Sequence, residues 1–216
     1  MKSIKEVLRR NSFLSGLISF YRNYFQITRN KFGHISSDTI FRQPILIKGV
    51  KNVYLYENTI IQADAVILAS LAKFVMKKNS GAAEGLTVIT GNHQSFPGVW
   101  MRDVTDEMKK ENKDKDIIVE EDVLIGARVT LLSGTIIGRG AEIGAGSVCR
   151  GKIPPYAKVV GNPAKVVGYR FTPEEIIEHE KALYPEEERL PLSKLEKNYN
   201  KYFENRASVV EFLSLN

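Results

Sequence analysis

The sequence predicts an all-β solenoid, a triangular coil of short parallel strands, with a helical appendage at each end. An aliphatic residue returns at every sixth position from Val119 to Ile143, and glycine follows several of these residues. A helix repeats every 3.6 residues and a strand every 2, so neither element alone explains a period of six. A short strand plus a tight corner in each unit explains it, because one inward side chain then recurs on each face.

Two rows of side chains are predicted to fill the interior. The first row consists of the aliphatic anchors Val119, Ile125, Leu131, Ile137 and Ile143. The second row lies two places earlier and holds small or branched residues: Ile117, Val123, Val129, Thr135, Ala141 and Ser147. Similar spacing at Leu55, Ile61 and Ile67 extends the pattern, so residues 45–92 and 117–168 are expected to stack into roughly five coils. The glycines after three anchors, 126, 138 and 144, are expected to supply corner backbone angles that other residues avoid.

The elements around the repeats divide the chain into three parts. Residues 1–40 are expected to form a basic amphipathic helical segment, 41–170 the coil with an inserted loop at 94–116, and 171–216 a helical end. The inserted loop breaks the period and is rich in charge, as functional or disordered loops are. Thr172, Pro173 and Glu175 have the order of an N-cap, a first helical residue and a capping box.

Composition excludes several classes of protein. The chain has 216 residues, 43% hydrophobic and 26% charged, as in ordinary globular proteins. A single cysteine, Cys149, excludes an internal disulfide framework, so the cytoplasm is the expected location. Cys149 continues the anchor series and is expected to be a buried structural thiol rather than a nucleophile.

The net charge of +6 is concentrated at the N-terminus. Residues 1–33 hold seven basic residues and one acidic residue, interleaved with aromatic side chains. One terminal segment of this kind does not resemble a nucleic-acid surface. Residues 1–30 are expected either to cover protein, in this domain or a neighbouring subunit, or to dock on an anionic membrane surface as a peripheral contact.

The repeats, together with "TGNHQ", "RDVTDE", "IGAGS" and "GNPAK", resemble the hexapeptide-repeat acyltransferases, whose fold is a left-handed parallel β-helix. The resemblance covers about 45–170 and is nearest to the branch of xenobiotic and capsular polysaccharide O-acetyltransferases. It implies a homotrimer with acetyl-CoA held between adjacent subunits and a sugar or polysaccharide acceptor.

His93 in "TGNHQ" matches the catalytic histidine of that family. Transfer from a thioester to a hydroxyl needs a base for the hydroxyl proton, and imidazole titrates near neutral pH. Direct transfer in a ternary complex is therefore expected, with His93 as the general base.

The resemblance also implies residues for acetyl-CoA. The family pattern maps onto Ala127, Ala145 and Lys165, where small residues suit the pantetheine and a lysine suits phosphate. Arg150 and Gly151 stand where relatives often have threonine and lysine, so Arg150 is a further candidate for phosphate contact.

Four residues are candidates for binding the acceptor. In the loop, the indole of Trp100 suits a sugar ring or packs on the loop, and Arg102 and Asp103 suit hydroxyls. Asn92 either orients a hydroxyl or occupies a tight corner. The run "KKENKDKD" (109–116) is interpreted as a solvated surface.

The histidine count excludes a metal enzyme on the same fold. Such an enzyme needs several histidines across coils, but His34 and His179 fall outside the predicted repeats, so no metal is expected. A non-catalytic binding scaffold is the alternative from another class, because folds do not fix function. Among enzymes, sugar O-acetylation comes first, antibiotic or other xenobiotic acetylation second, and N-acylation of an amino sugar third.

Overall fold

A computed structural model describes residues 11–25, 27–105, 107–109 and 113–203. The strands, in chain order, are β1 (His34–Ile35), β2 (Ile40–Phe41), β3 (Ile45–Lys48), β4 (Val53–Leu55), β5 (Ile60–Ile61), β6 (Ala65–Leu68), β7 (Phe74–Met76), β8 (Gly81–Ala82), β9 (Thr87–Ile89), β10 (Ile117–Val119), β11 (Leu124–Ile125), β12 (Thr130–Leu132), β13 (Ile136–Ile137), β14 (Glu142–Ile143), β15 (Val148–Cys149), β16 (Lys152–Ile153), β17 (Ala157–Val160) and β18 (Lys165–Tyr169). The α-helices are α1 (Ser12–Tyr24), α2 (Pro173–Leu183) and α3 (Leu192–Phe203), and short 3₁₀ turns span Arg29–Lys31, Val50–Asn52 and Glu186–Glu188.

The strands wind into a triangular prism. Every third strand lies in the same parallel sheet: sheet A runs β1-β4-β7-β10-β13-β16, sheet B runs β2-β5-β8-β11-β14-β17, and sheet C runs β3-β6-β9-β12-β15. The first corner joins sheets A and B, the second joins B and C, and the third joins C and A. Strand β18 then turns back and pairs antiparallel with β17. The predicted solenoid is confirmed.

Both predicted rows point inward. The first-row anchors and the six second-row residues from Ile117 to Ser147 are all buried. Buried hydroxyls find partners inside the coil: the Thr135 hydroxyl lies 2.9 Å from the carbonyl oxygen of Cys149, to which it donates. The core is therefore a continuous column that each coil shares with the next, because no single coil can bury its own inward face.

The prism starts earlier than the predicted boundary at residue 41, since β1 begins at His34. Ile35, Phe41 and Ile47 repeat with the same six-residue spacing as the later anchors. The 3₁₀ turn Val50–Asn52 lengthens the third corner after them, so the next anchor comes eight residues later, at Leu55. This change of phase hides the first coil from a search for an unbroken period, and the described residues form about six coils rather than five, the last one incomplete.

The predicted role of the glycines that follow anchors is wrong. Glycines 126, 138 and 144 do not have positive φ. They are needed for close approach: a Cβ on Gly126 would lie 2.7 Å from the backbone nitrogen of Ala145 in the next coil. The left-handed residue stands three places after the anchor instead, as at Asp122, Arg128 and Gly134. Asparagine, aspartate and glycine tolerate that conformation best.

A buried carboxylate fastens the C-terminal helices to the last coils. Glu180 on α2 is fully buried and accepts hydrogen bonds from Arg139, the Tyr156 hydroxyl and the Leu190 backbone N–H. The predicted capping box of α2 is confirmed, since the Thr172 side chain accepts from Glu175 and the Glu175 side chain accepts from Thr172. Residues 204–216, in which the sequence predicts further helix, lie outside the described part of the chain.

Candidate active site

The inserted loop leaves the prism at the third corner. It starts after β9 and returns at β10, and its described residues contain neither helix nor strand. Where the loop departs, a cleft of about 440 Å³ opens on the outer face of sheet C. Its lining combines apolar and polar side chains from two neighbouring coils and the loop: Leu68, Ser70, Leu71, Ile89, Gly91, Asn92, His93, Gln94, Lys109 and Asp114.

His93 lies at the mouth of this loop, four residues after β9 ends, and its side chain is exposed to the cleft. The parallel sheet fixes the corner, because β9 pairs with β6 on one side and β12 on the other. An imidazole on a rigid corner beside an open cleft is available to take a proton from a bound molecule.

Asn92, next to His93, closes the base of the loop. Its side-chain nitrogen donates to the Lys113 carbonyl at 2.9 Å and to the Ser133 hydroxyl at 2.8 Å. Its backbone N–H donates to the Asp114 carboxylate at 2.9 Å. These contacts join the start of the loop, its end and the adjoining coil. We call Asn92, Asp114 and Ser133 the loop clasp. The side-chain N–H groups of Asn92 therefore bind other parts of the protein and are not free to bind a molecule in the cleft.

The interpretation of residues 109–116 as merely solvated surface is wrong for the end of that run. Asp114 belongs to the loop clasp, and Asp116 accepts the backbone N–H of Lys73 at 2.7 Å. Asp114 and Ser133 were not predicted from the sequence. Their partners lie about 20 residues away or more, so no local pattern marks them; the only signal is that aspartate and serine often accept backbone N–H groups at corners.

The three acceptor candidates in the loop are apart from the lining of this cleft. Trp100 is 82% exposed, which excludes the reading in which it pins the loop by packing on the described residues. The Asp103 backbone N–H donates to the Trp100 carbonyl at 2.9 Å, which closes a tight turn. Arg102 lies inside that turn and is exposed. The turn presents all three side chains to solvent.

The predicted acetyl-CoA residues lie on two corners of the prism. Ala127 and Ala145 stack at the second corner in successive coils, where the Gly146 N–H donates to the Ala127 carbonyl at 2.8 Å. Lys165 begins β18 just past the same corner and is exposed. Arg150 and Gly151 instead occupy the third corner, two coils from His93. In each coil, one strand of sheet C lies between the second corner and the third corner.

Cys149 is buried in the core, as predicted. Burial raises the pKa of its thiol to about 11, because the apolar interior disfavours the thiolate. A nucleophilic role is therefore disfavoured. His34 lies on β1 within the prism, not before it, and among the described residues no three His, Cys, Asp or Glu side chains group to hold a metal ion.

Comparison with known proteins connects this geometry to a family. Residues 116–151 match the family described as bacterial transferase hexapeptide (six repeats). A putative lipopolysaccharide biosynthesis O-acetyl transferase of Escherichia coli (strain K12) is 30% identical over 125 residues, 54% of this chain and 61% of that protein. A chloramphenicol acetyltransferase of Klebsiella aerogenes is 34% identical over 112 residues, 50% of each chain. This chain thus spans less than two thirds of either relative.

Solved structures share the fold. A hexapeptide-repeat acetyltransferase of Vibrio cholerae, crystallised with acetyl-coenzyme A, superposes with a TM-score of 0.60 over 77% of this chain and 90% of that one, at 23% identity. A maltose O-acetyltransferase of Clostridium difficile gives 0.57 over 76% and 88%, at 22% identity. These are left-handed β-helices, and the predicted handedness is confirmed with the fold.

Proposed function

We propose that this chain is a member of the hexapeptide-repeat family of bacterial transferases and moves an acetyl group from acetyl-CoA to a hydroxyl of a sugar or polysaccharide precursor. The observation that supports this most is the position of His93, exposed to a 440 Å³ cleft at a corner held by sheet C. The relative from Escherichia coli, named for lipopolysaccharide O-acetylation, favours a glycan acceptor.

His93 is proposed as the general base. As the hydroxyl oxygen of the acceptor forms a bond to the acyl carbon, the imidazole takes the hydroxyl proton and later gives it to the departing sulfur. Acetyl-CoA supplies the thioester whose carbon–sulfur bond breaks. With Cys149 buried and its pKa raised to about 11, direct transfer in a ternary complex fits better than an acyl-enzyme.

The residues at the second corner suit the acyl donor. Ala127 is half-buried and Ala145 is exposed, and each carries only a methyl group as its side chain. An extended pantetheine can approach such a strip, and the exposed ammonium of Lys165 suits a phosphate as a point charge. Arg150, exposed on the third corner, is a second cation for phosphate.

The separation of the two corners supports a site shared between subunits. Within one chain, sheet C lies between the corner of His93 and the corner of Ala127 and Ala145. In a ring of identical copies, different corners of neighbouring prisms meet at a heterologous interface. We therefore propose a homotrimer in which His93 of one subunit faces the alanine corner of the next.

Mixing two inactive variants tests the shared site. His93→Ala removes the base, and Ala145→Trp blocks the opposite corner. Co-expressed, they should recover about a quarter of wild-type activity, because random mixing places both intact halves at that share of interfaces. If the mixed oligomers show no activity, His93 and Ala145 of the same subunit form one site, and the shared site is rejected.

Release of free CoA thiol, measured over a panel of glycan and antibiotic acceptors, tests the activity itself. His93→Ala should lower turnover by about two to four orders of magnitude. His34→Ala is the matched control, since that exposed histidine lies on the first coil and should leave turnover unchanged. Near wild-type turnover of His93→Ala would reject the base, and failure of the intact chain to bind CoA would favour a scaffold.

A xenobiotic acceptor is the second candidate, because the chloramphenicol acetyltransferase is among the relatives, at 34% identity. The exposed turn of Trp100, Arg102 and Asp103 is the proposed acceptor contact in either case. Trp100→Ala should then raise KM for the acceptor while KM for acetyl-CoA stays the same.

A further inference from the structure

Helix α1 exposes its apolar side to solvent, whereas an ordinary surface helix packs its apolar side on the protein. At 3.6 residues per turn, its apolar side chains fall on a single arc of roughly 160°. Apart from Leu14, which is partly covered, the side chains of that arc point to solvent. Seven large apolar side chains on α1 and at its end are between 39% and 72% exposed, namely Phe13, Leu17, Ile18, Phe20, Tyr21, Tyr24 and Phe25. No residue of the helix is buried.

The polar stripe of α1 is turned toward the prism instead. Ser15, Ser19 and Asn23 follow one another at four-residue spacing, and each is more covered than the aromatic residues beside it. The side-chain oxygen of Asn23 is buried. The helix lies beside β3 of sheet C. It therefore approaches its own domain by its polar side, which leaves the apolar side for a different partner.

The charge around this helix indicates what kind of surface its apolar side contacts. Residues 7–37 contain five basic residues and no acidic residue. Arg22, at the edge of the apolar arc, is exposed. Helices that lie in a membrane interface combine an aromatic apolar face with flanking lysine and arginine, and anionic lipid headgroups attract the cations. Among the described residues no helix is long and apolar enough to cross a membrane.

We propose that the apolar face of α1 docks on an anionic membrane surface and anchors the N-terminal end of the prism there. The aromatic rings already cluster on that face, with the Phe20 and Tyr24 centroids 4.8 Å apart, and the amphipathic ring of a tyrosine suits the headgroup region. This docking does not depend on the acyltransfer proposed above. The basic residues at positions 2, 5, 9 and 10 lie outside the described part of the chain and contribute here only their charge.

Vesicle flotation of the full chain tests the docking without acyl donor or acceptor. The protein should float with vesicles of phosphatidylcholine and phosphatidylglycerol, much less with phosphatidylcholine alone, and less as salt rises. Leu17→Ser combined with Phe20→Ser should reduce the partition coefficient at least tenfold, because two large apolar contacts are lost. Both side chains are more than half exposed, so the fold should survive, as melting temperature checks.

Ser12→Asn with Gly16→Ser is the matched control, since both positions are exposed and off the apolar arc. A Cβ at Gly16 meets nothing within 4 Å. This pair should float like the wild type. Equal flotation of both pairs, or no flotation of the intact chain, would overturn the proposal. So would a fall in oligomer mass of the Leu17→Ser and Phe20→Ser protein without lipid, which would show that a second copy covers this face.

Discussion

The side-chain nitrogen of Asn92 donates a hydrogen bond to the Ser133 hydroxyl at 2.8 Å, which ties the residue before the candidate base to the next coil of the prism. Ser133 also accepts the backbone N–H of Lys115 at 3.0 Å, at the other end of the loop. One hydroxyl thus joins both ends of the loop to a corner of the sheet. Rigid support of this kind keeps a catalytic side chain within the narrow range of useful positions.

Ser133→Ala should loosen the loop and lower turnover. Two N–H donors lose their acceptor, and a single hydrogen bond contributes about 1 kcal/mol, so kcat should fall about three- to tenfold. Trypsin should also cut faster at the lysines of residues 109–116. Ser133→Thr keeps the hydroxyl and should restore both properties. Unchanged cutting and unchanged kcat in Ser133→Ala would show that the loop clasp does not position His93.

Gly126→Ala should destabilise the prism by about 1–3 kcal/mol. The added Cβ would meet the Ala145 nitrogen at 2.7 Å and the Ile143 oxygen at 2.9 Å, both rigid backbone atoms. Gly81→Ala is the comparison, because a Cβ there meets nothing within 4 Å and the backbone is not left-handed. Urea unfolding should show less than about 1 kcal/mol of change for Gly81→Ala. Equal losses of stability in the two variants would mean that backbone flexibility, and not the close approach of the next coil, explains why glycine occupies position 126.

Glu180→Leu should cost about 3 kcal/mol of the free energy of unfolding, because it leaves the largely buried Arg139 guanidinium and the buried Tyr156 hydroxyl without this acceptor. Glu178→Leu changes the same charge on an exposed face of α2 and should have little effect. Chemical denaturation of both variants provides the measurement. A similar, small loss in both would assign the attachment of α2 to apolar packing alone.

The Cys149 thiol should make the prism less stable at high pH. Its pKa rises from 9.0 to about 11 on burial, so its contribution is complete below pH 9.0 and is lost as pH rises through about 11. Cys149→Ala cannot titrate and should lose about 2 kcal/mol less than the wild type between about pH 8 and about pH 10.5. Urea unfolding at the two pH values tests this, and parallel losses in the two proteins would contradict it.

Some of the fold and the candidate site followed from local spacing. The anchors, the second inward row and the capping box of α2 were predicted correctly, because each depends on residues within six places of one another. His93 was singled out by its motif and lies at a cleft. The first coil escaped prediction because a lengthened corner shifts its phase, and the role of the glycines was misread because the atoms they avoid belong to another coil.

By itself, the sequence determined that this chain winds into a triangular solenoid, since a period of six buries one side chain per strand only if the strands close into coils. Only the tertiary structure decided what meets across coils. It brought Asp114 and Ser133 to Asn92, placed His93 and Ala145 on different corners, and turned the apolar face of α1 outward. These features depend on residues that lie one coil or more apart in the sequence. Their separation in space depends on how the coils stack and where the loop leaves the prism, and no local sequence pattern contains that information.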